Sequence, residues 1–100
     1  MNFEEATSKI RQKMAQAAHI KARVTFDFGE DGRVFIDSTQ DPAEISHDEK
    51  ESDTSLILTL ATFEAILAGK QDPTVAFMMG KLKVKGSMGL AMKLNAVLED

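Results

Sequence analysis

Residues that could act as acids, bases or metal ligands are concentrated in one stretch, DPAEISHDEKESD, from Asp41 to Asp53. It holds six acidic residues and His47, while the second histidine, His19, lies elsewhere. Such a cluster could bind a cation or form a mobile acidic entrance to a site. A calcium loop, however, needs a glycine at its sharp turn and regularly spaced ligands, and this stretch has neither. A solvated loop with a short edge strand around Ile45 is therefore favoured, and no metal site is predicted.

Nucleophilic and phosphate-binding chemistry is poorly supported. No serine lies in the Gly-x-Ser-x-Gly pattern of a nucleophile elbow. Gly80, Gly86 and Gly89 punctuate helix ends and a strand–helix junction and do not form a phosphate-binding loop. We therefore predict no enzyme activity and no cofactor. A lipid hydrolase assembled from scattered Asp, Ser and His side chains is the least favoured alternative.

The distribution of the methionines is the clearest indication of a binding surface. Four of the six, Met78, Met79, Met88 and Met92, fall within fifteen residues of one another. Methionine side chains are flexible and polarizable, and they line surfaces that must fit more than one shape.

The last predicted helix is apolar on two sides. At about 100° per residue, Leu90, Leu94, Val97 and Leu98 share one side, and Met88 and Met92 lie well around the cylinder. Each apolar side of such a helix needs a partner. One side can pack on the sheet, and the other needs a second helix, a second subunit or a bound apolar molecule. On the pattern alone, ordinary core packing against the helix at 77–79 is favoured. Gly89, in the first turn, disfavours a rigid helix start by about 0.5–1 kcal/mol relative to Ala.

The remaining segments alternate between helical and extended patterns. An amphipathic helix opens with an Asn2–Glu5 capping arrangement. Gly69 is placed to end a short helix, and Asp72-Pro73 to begin the next one. Ser87 is placed to cap the last. The predicted elements are helices at 3–17, 63–67, 74–79 and 87–98, hairpin strands at 22–28 and 34–39, and further strands at 54–60 and 81–86.

The connection between the last two strands sets the expected topology. Because two short helices join the strands at 54–60 and 81–86, we predict a crossover that makes these strands parallel. The near-continuous apolar run at 54–60 indicates a central strand buried on both faces. The predicted fold class is α+β, with a mixed sheet of four to five strands and helices packed mainly on one face.

The bulk composition fits one soluble domain spanning residues 1–100. A formal net charge of -4 offers no overall basic field for nucleic acid, so no nucleic-acid partner is predicted. The chain has no cysteine, which fits a reducing compartment. It also lacks a signal-peptide pattern and any run of about 20 apolar residues. These features predict a cytoplasmic protein.

Several short motifs follow one another between Asp53 and Leu94. They are Asp53 before an alternating strand, Phe63 in a helix ending at Gly69-Lys70, Asp72-Pro73, Phe77-Met78-Met79-Gly80, a Lys-rich strand, and Gly86-Ser87-Met88. In this order and spacing they closely resemble the C-terminal half of the sterol carrier protein 2 (sterol-transfer) domain family. Over residues 1–52 the likeness is one of topology. A stand-alone domain without a peroxisomal tripeptide at its end resembles a prokaryotic-type member.

The resemblance implies a non-enzymatic lipid carrier whose sheet and helices enclose an apolar tunnel for sterols, fatty acids, fatty acyl-CoA or phospholipids. Inward strand positions and helix faces then predict the lining. The predicted lining residues are Val24, Phe26, Phe63, Leu67, Phe77, Met78, Leu82, Val84, Met88, Met92 and Leu94. A carboxylate head group at the tunnel mouth could meet Arg23 or Arg33.

Two further surfaces are open to partners. Lys81, Lys83 and Lys85 form a basic stripe. We interpret it as a solvated strand face whose charges disfavour pairing of the sheet edge with a strand of another chain. Transient docking on a membrane is the alternative. The alternative function for the whole domain is a homodimerising or partner-binding module without lipid, sealed by the second apolar side of the last helix.

Overall fold

The computed structural model describes residues 1–17 and 19–99 and contains a five-stranded mixed sheet with helices on one face. The strand order is β3-β2-β1-β4-β5. The α+β class, the strand number and the one-sided helix packing are as predicted. The helices are α1 (Phe3–Gln16), α2 (Leu60–Leu67), α3 (Pro73–Met78) and α4 (Met88–Glu99), and the strands are β1 (Arg23–Asp27), β2 (Arg33–Asp37), β3 (Glu44–Ser46), β4 (Thr54–Leu58) and β5 (Leu82–Gly86).

Local side-chain signals begin α1, α3 and α4 where the sequence predicts, whereas α2 begins at Leu60, three residues before the predicted start, with the Thr59 hydroxyl accepting the Thr62 backbone N–H. The Asn2 side chain accepts the Glu5 backbone N–H at 2.8 Å, and the Glu5 carboxylate accepts the Asn2 backbone N–H at 3.1 Å. Asp72 accepts the Thr74 backbone N–H at 2.7 Å at the start of α3. Ser87 accepts the backbone N–H of Leu90 at 3.1 Å and so caps α4. Each bond satisfies a donor that the first helical turn leaves without a partner.

The predicted hairpin is confirmed, and its core side faces the helices. β1 and β2 pair antiparallel with Val24 opposite Ile36, and β1 pairs parallel with β4, with Phe26 opposite Leu56. Alternation places Val24 and Phe26 in the core. β4 is central, as predicted, but Ser55 and Ile57 on its second face are half-buried, so the prediction of a strand buried on both faces is wrong.

The prediction that β4 and β5 run parallel is also wrong. They pair antiparallel, with Leu58 opposite Leu82 and Thr54 opposite Gly86. α2 has eight residues and α3 has six, so they extend about 12 Å and 9 Å at 1.5 Å per residue. Gly69, with φ 75, lies in the turn between them. α2 leads away from the end of β4, and α3 brings the chain back to that same end of the sheet. A single longer helix would instead have carried the chain to the opposite end.

The parallel crossover lies instead between β3 and β4. His47 still packs against Phe3 of α1, and residues 49–53 then pass over the sheet face opposite the helices, where the Ser52 and Thr25 hydroxyls hydrogen-bond and Lys50 Nζ lies 5.4 Å from the centre of the Phe35 ring. Phe35 and Thr25 are buried as a result. The acidic stretch thus contains the predicted edge strand at Ile45 and then a connection that covers part of the second sheet face.

Candidate functional site

The eleven predicted lining residues occupy three different environments. Five are packed in the core between sheet and helices, and each is at most 1% exposed: Val24, Phe26, Phe63, Leu82 and Leu94. Leu67 and Val84 are half-buried at the edge of that core. The remaining four are exposed: Phe77, Met78, Met88 and Met92. The sheet–helix interface is therefore closed around the first group, and the last group faces outward.

Six side chains form what we call the Met-rich surface. Its members are Val75, Phe77, Met78, Met79, Met88 and Met92. Across residues 1–17 and 19–99, these six are the large apolar side chains that are exposed. They range from Phe77, 40% exposed, to Met78, 77% exposed, and all come from α3, the residue after it and the first half of α4. Val75 is the member that no sequence pattern singled out.

The short length of α3 explains its exposed apolar side chains. Six residues make fewer than two turns, and the helix buries Pro73 and Ala76, which are three residues apart on one side. Val75, Phe77 and Met78 therefore project away from that narrow buried strip. Gly80, with φ 78, then turns the chain into β5.

One apolar side of α4 is buried, and the other is exposed. Ala91, Leu94 and Leu98 are buried, which accounts for the side that packs on the sheet and the other helices. Met88 and Met92 lie on the flank of that strip that remains exposed. α4 contacts both α3 and β5, so the two helices that carry the Met-rich surface adjoin each other. The cover that the sequence pattern predicts for Met88 and Met92 is not supplied by any of the described residues. Clustered exposed apolar side chains of this kind mark binding sites.

The basic stripe lies on and just before β5, on the sheet face away from the helices. β5 places Leu82 and Val84 toward the helices, and its register with β4 sets Lys83 opposite Ile57 and Lys85 opposite Ser55. Lys81 lies just before β5 and two residues after Met79. All three lysines are exposed.

The two arginines are not brought to the Met-rich surface. Arg23 pairs with Asp37 and Arg33 with Asp27 in the hairpin register, so they lie at opposite ends of the hairpin on the face away from the helices. Arg23 Nε lies 3.9 Å from Asp37 Oδ2, and Arg33 Nη1 lies 3.2 Å from Glu49 Oε1. Hydrogen bonds from the Thr39 hydroxyl, and less strongly from other groups, lower the pKa of Asp37. Both cations therefore already have carboxylate neighbours.

Two grooves lie elsewhere on the molecule. A groove of about 580 Å³ lies between residues 19–21 and α4, and one of about 340 Å³ lies between α1 and β3. Neither is lined by any of the eleven predicted residues. Both join segments that are distant in sequence, so the order of residues along the chain did not reveal them.

Comparison with known proteins identifies this fold. Residues 3–99 match the SCP-2 sterol transfer family. The chain belongs to that family. Family membership supports a sterol or lipid carrier domain, which agrees with the resemblance seen in the motifs between Asp53 and Leu94.

Several individual proteins are similar to parts or to most of this SCP-2 domain. Hydroxysteroid dehydrogenase-like protein 2 of Xenopus laevis is 39% identical over 71 residues, which cover 69% of this chain and 17% of that protein. Human sterol carrier protein 2 is 42% identical over 51 residues, covering 51% of this chain and 9% of that protein. The apo structure of sterol carrier protein 2 from Yarrowia lipolytica superposes with a TM-score of 0.70 at 26% identity, covering 92% of this chain and 77% of that one. The chain thus spans a small part of the first two relatives.

Within residues 1–17 and 19–99, His, Asp and Glu side chains form no group of three or more that could hold a metal ion. None of the helices in the same residues is long and apolar enough to cross a membrane.

Proposed function

We propose that this domain binds one long-chain lipid without chemical conversion and carries it between membranes or partners. The observation that carries the proposal is the Met-rich surface, which exposes six large apolar side chains on the adjoining helices α3 and α4 and the residue after α3. Family membership supports the ligand class. Sterols, fatty acids, fatty acyl-CoA and phospholipids are all candidates.

The energetics favour an apolar ligand without a specific anchor. Burying one methylene contributes about 0.8 kcal/mol, so about fourteen methylenes contribute on the order of 10 kcal/mol. Association then costs several kcal/mol in lost motional freedom. The remainder is enough for useful affinity. Selectivity should therefore follow chain length and shape, and not hydrogen bonding to a head group.

The proposed site has an outer and an inner part. Phe77, Met78, Met88 and Met92 meet the ligand first, because they are exposed. Leu67 and Val84 are half-buried and form the next layer. The five packed lining residues would be reached by a ligand that displaces α3, which is held in the core mainly through Pro73 and Ala76.

Membrane contact is a second part of the proposal. Lys81 follows Met79 by two residues and leads into Lys83 and Lys85 of β5, so an anionic bilayer could attract the lysines while the methionines enter its interface. Binding to phosphatidylserine vesicles should collapse at high salt and in the Lys81→Glu/Lys83→Glu/Lys85→Glu variant. Vesicle binding that is insensitive to both changes would remove this part and leave lipid binding intact.

A second copy of the chain is the alternative occupant of the Met-rich surface. It would cover Met88 and Met92 as an apolar ligand would. Light scattering at two concentrations separates the two cases, since a stable dimer that Met92→Glu dissociates favours an interaction module. A monomer at both concentrations supports the lipid carrier.

Displacement of a fluorescent fatty acid from delipidated protein tests the proposal. We expect micromolar binding, competition by unlabelled fatty acids, and weaker binding in Met88→Ser/Met92→Ser. Lys9→Gln, an exposed change on α1, is the matched control and should leave binding unchanged. Well-folded, delipidated protein that binds no fatty acid at micromolar concentration would rule the function out.

A further inference from the structure

The six methionines of the chain fall into two groups by their access to solvent. Four are between 46% and 77% exposed, and we call them the exposed methionines: Met78, Met79, Met88 and Met92. The other two are covered, since Met14 is 6% exposed and Met1 packs against the core. Because the chain has no cysteine, methionine supplies all of its sulfur. A dissolved oxidant therefore meets most of the sulfur of this protein on the Met-rich surface.

Oxidation of the exposed methionines leaves the core in place. Met78 ends α3, Met79 follows it, and Met88 begins α4. Met92 lies within α4 and is exposed. An oxygen atom added to any of these side chains stays hydrated in the free protein, so the packing between sheet and helices is not disturbed. At Met14 the same change would place a polar oxygen among apolar core side chains.

Oxidation of a thioether by peroxide is a balanced oxygen transfer. A sulfur lone pair attacks one oxygen of hydrogen peroxide, the O–O bond breaks, and an S–O bond forms. The proton left on the new sulfoxide oxygen passes to the departing hydroxide, which leaves as water. Sulfur loses two electrons, and the peroxide gains two. Methionine sulfoxide reductases reverse the change with two thiols, which become a disulfide while the oxygen leaves as water.

A sulfoxide on the Met-rich surface opposes contact between that surface and hydrocarbon. Its oxygen accepts hydrogen bonds from water, and the hydrocarbon chain of a lipid offers no donor in exchange. The neighbouring members Val75 and Phe77 have apolar side chains and offer none either. Burial of an oxygen without a hydrogen bond weakens binding about 5- to 150-fold per group. Oxidation therefore changes what the surface binds, although it adds only one atom to each side chain.

We propose that the exposed methionines are a peroxide-sensitive modification site, at which conversion to sulfoxides switches off apolar binding and reduction restores it. The inference rests on the proposed function, because it regulates the surface assigned to the lipid. All four sulfoxides oppose the same apolar contact, so oxidation of some of them already lowers the affinity. The fold persists through the cycle, because the covered methionines are not needed for it.

Peroxide treatment of delipidated protein, followed by mass spectrometry and fatty acid titration, tests the proposal. We expect the exposed methionines to take up oxygen before Met14 does, and fatty acid affinity to fall at least about tenfold. The cooperative thermal transition should be retained. Methionine sulfoxide reductases A and B, which act on the two sulfoxide epimers, should together restore the affinity. Protein that is oxidised at all four positions and binds fatty acid as tightly as before would overturn the proposal.

Leucine variants show which methionines are responsible. Leucine has nearly the volume of methionine and no sulfur. Met78→Leu/Met79→Leu/Met88→Leu/Met92→Leu should therefore keep after peroxide treatment whatever affinity it has before treatment. Met14→Leu retains the exposed methionines and should lose affinity on oxidation as the parent does. Equal losses in the fourfold variant and the parent would place the effect outside the Met-rich surface and overturn the proposal.

Retention on a phenyl column separates failure of this inference from failure of the proposed function. Untreated protein that binds no fatty acid would contradict the lipid-carrier function alone, and the phenyl groups then serve as the apolar partner. Earlier elution of the oxidised parent, without such a change in the fourfold leucine variant, would support the switch. Elution of the parent at the same position before and after peroxide treatment would overturn it.

Discussion

Met92→Ala and Leu94→Ala truncate apolar side chains two residues apart on α4, and we expect very different costs. Leu94 is 1% exposed, so its truncation leaves a cavity and should lower the free energy of unfolding by about 2–5 kcal/mol. Met92 is 50% exposed. Because complete burial of such a side chain contributes about 1.5–3 kcal/mol, half of that burial corresponds to about 1 kcal/mol. Met92→Ala should therefore cost about 1 kcal/mol or less.

Urea unfolding of the delipidated protein measures the two free energies, and fatty acid titration of the same samples measures binding. We expect Met92→Ala to weaken binding about fivefold, which corresponds to about 1 kcal/mol of lost apolar contact. Leu94→Ala serves as the packed reference. A cost for Met92→Ala equal to that for Leu94→Ala would show that Met92 is covered in solution, and the argument for an open binding surface would fail.

Other perturbations test the backbone, the hairpin and the core. Gly89→Ala should stabilise α4 by about 0.5–1 kcal/mol, because nothing lies within 4 Å of the added Cβ. Gly86→Ala should cost at least about 1–3 kcal/mol, because φ is +96 and the new Cβ would lie 2.4 Å from the Asp53 carbonyl oxygen. Chemical denaturation measures both. The lowered pKa of Asp37 stabilises the fold at neutral pH, and this contribution is lost as pH falls through that lowered pKa. Thr39→Val removes the largest cause, so its thermal stability should be reduced at neutral pH and converge on that of the parent in acid. Asn95→Leu should raise stability by about 1 kcal/mol, because the buried Asn95 Oδ1 has no hydrogen-bond partner in the described residues; an unchanged or lower melting temperature would contradict this.

Features set by neighbouring residues could be predicted from the sequence. The Asn2–Glu5 capping box, the Asp72 and Ser87 caps and the hairpin around Gly32 depend on residues within a few positions of one another. The motifs between Asp53 and Leu94 then identified the family. These signals are local, so no knowledge of the tertiary arrangement is needed to recognise them.

The direction of β5 depended on geometry that the residue pattern does not contain. Two short helices can either cross a sheet or return to the same end, and the angle between them decides which. Here the turn at Gly69 folds α3 back, so β5 runs antiparallel to β4. Phe35 likewise is buried by the distant segment 49–53, which alternation within β2 could not reveal.

The sequence predicted only part of the candidate site, because the rest depends on contacts between residues that are distant in the chain. The helical plot of α4 showed that Met88 and Met92 need a cover that the buried side does not supply, and the structure leaves them exposed. The plot could not show that Phe26 and Phe63 would pack against each other, with ring centres 6.1 Å apart, and close the sheet–helix interface. Residues 19–21 and α4, which line the larger groove together, are brought near each other only by the tertiary fold.

Methionine methyl NMR with a long-chain fatty acid tests the central claim most directly. Met78, Met79, Met88 and Met92 are exposed, while Met14, on the buried side of α1, is 6% exposed and provides an internal reference. Titration of delipidated, methyl-labelled protein should shift the four exposed methyl signals with one saturating dependence on ligand and leave Met14 nearly unchanged. Saturable fatty acid binding that leaves those four signals unmoved would contradict the assignment of the lipid site to the Met-rich surface.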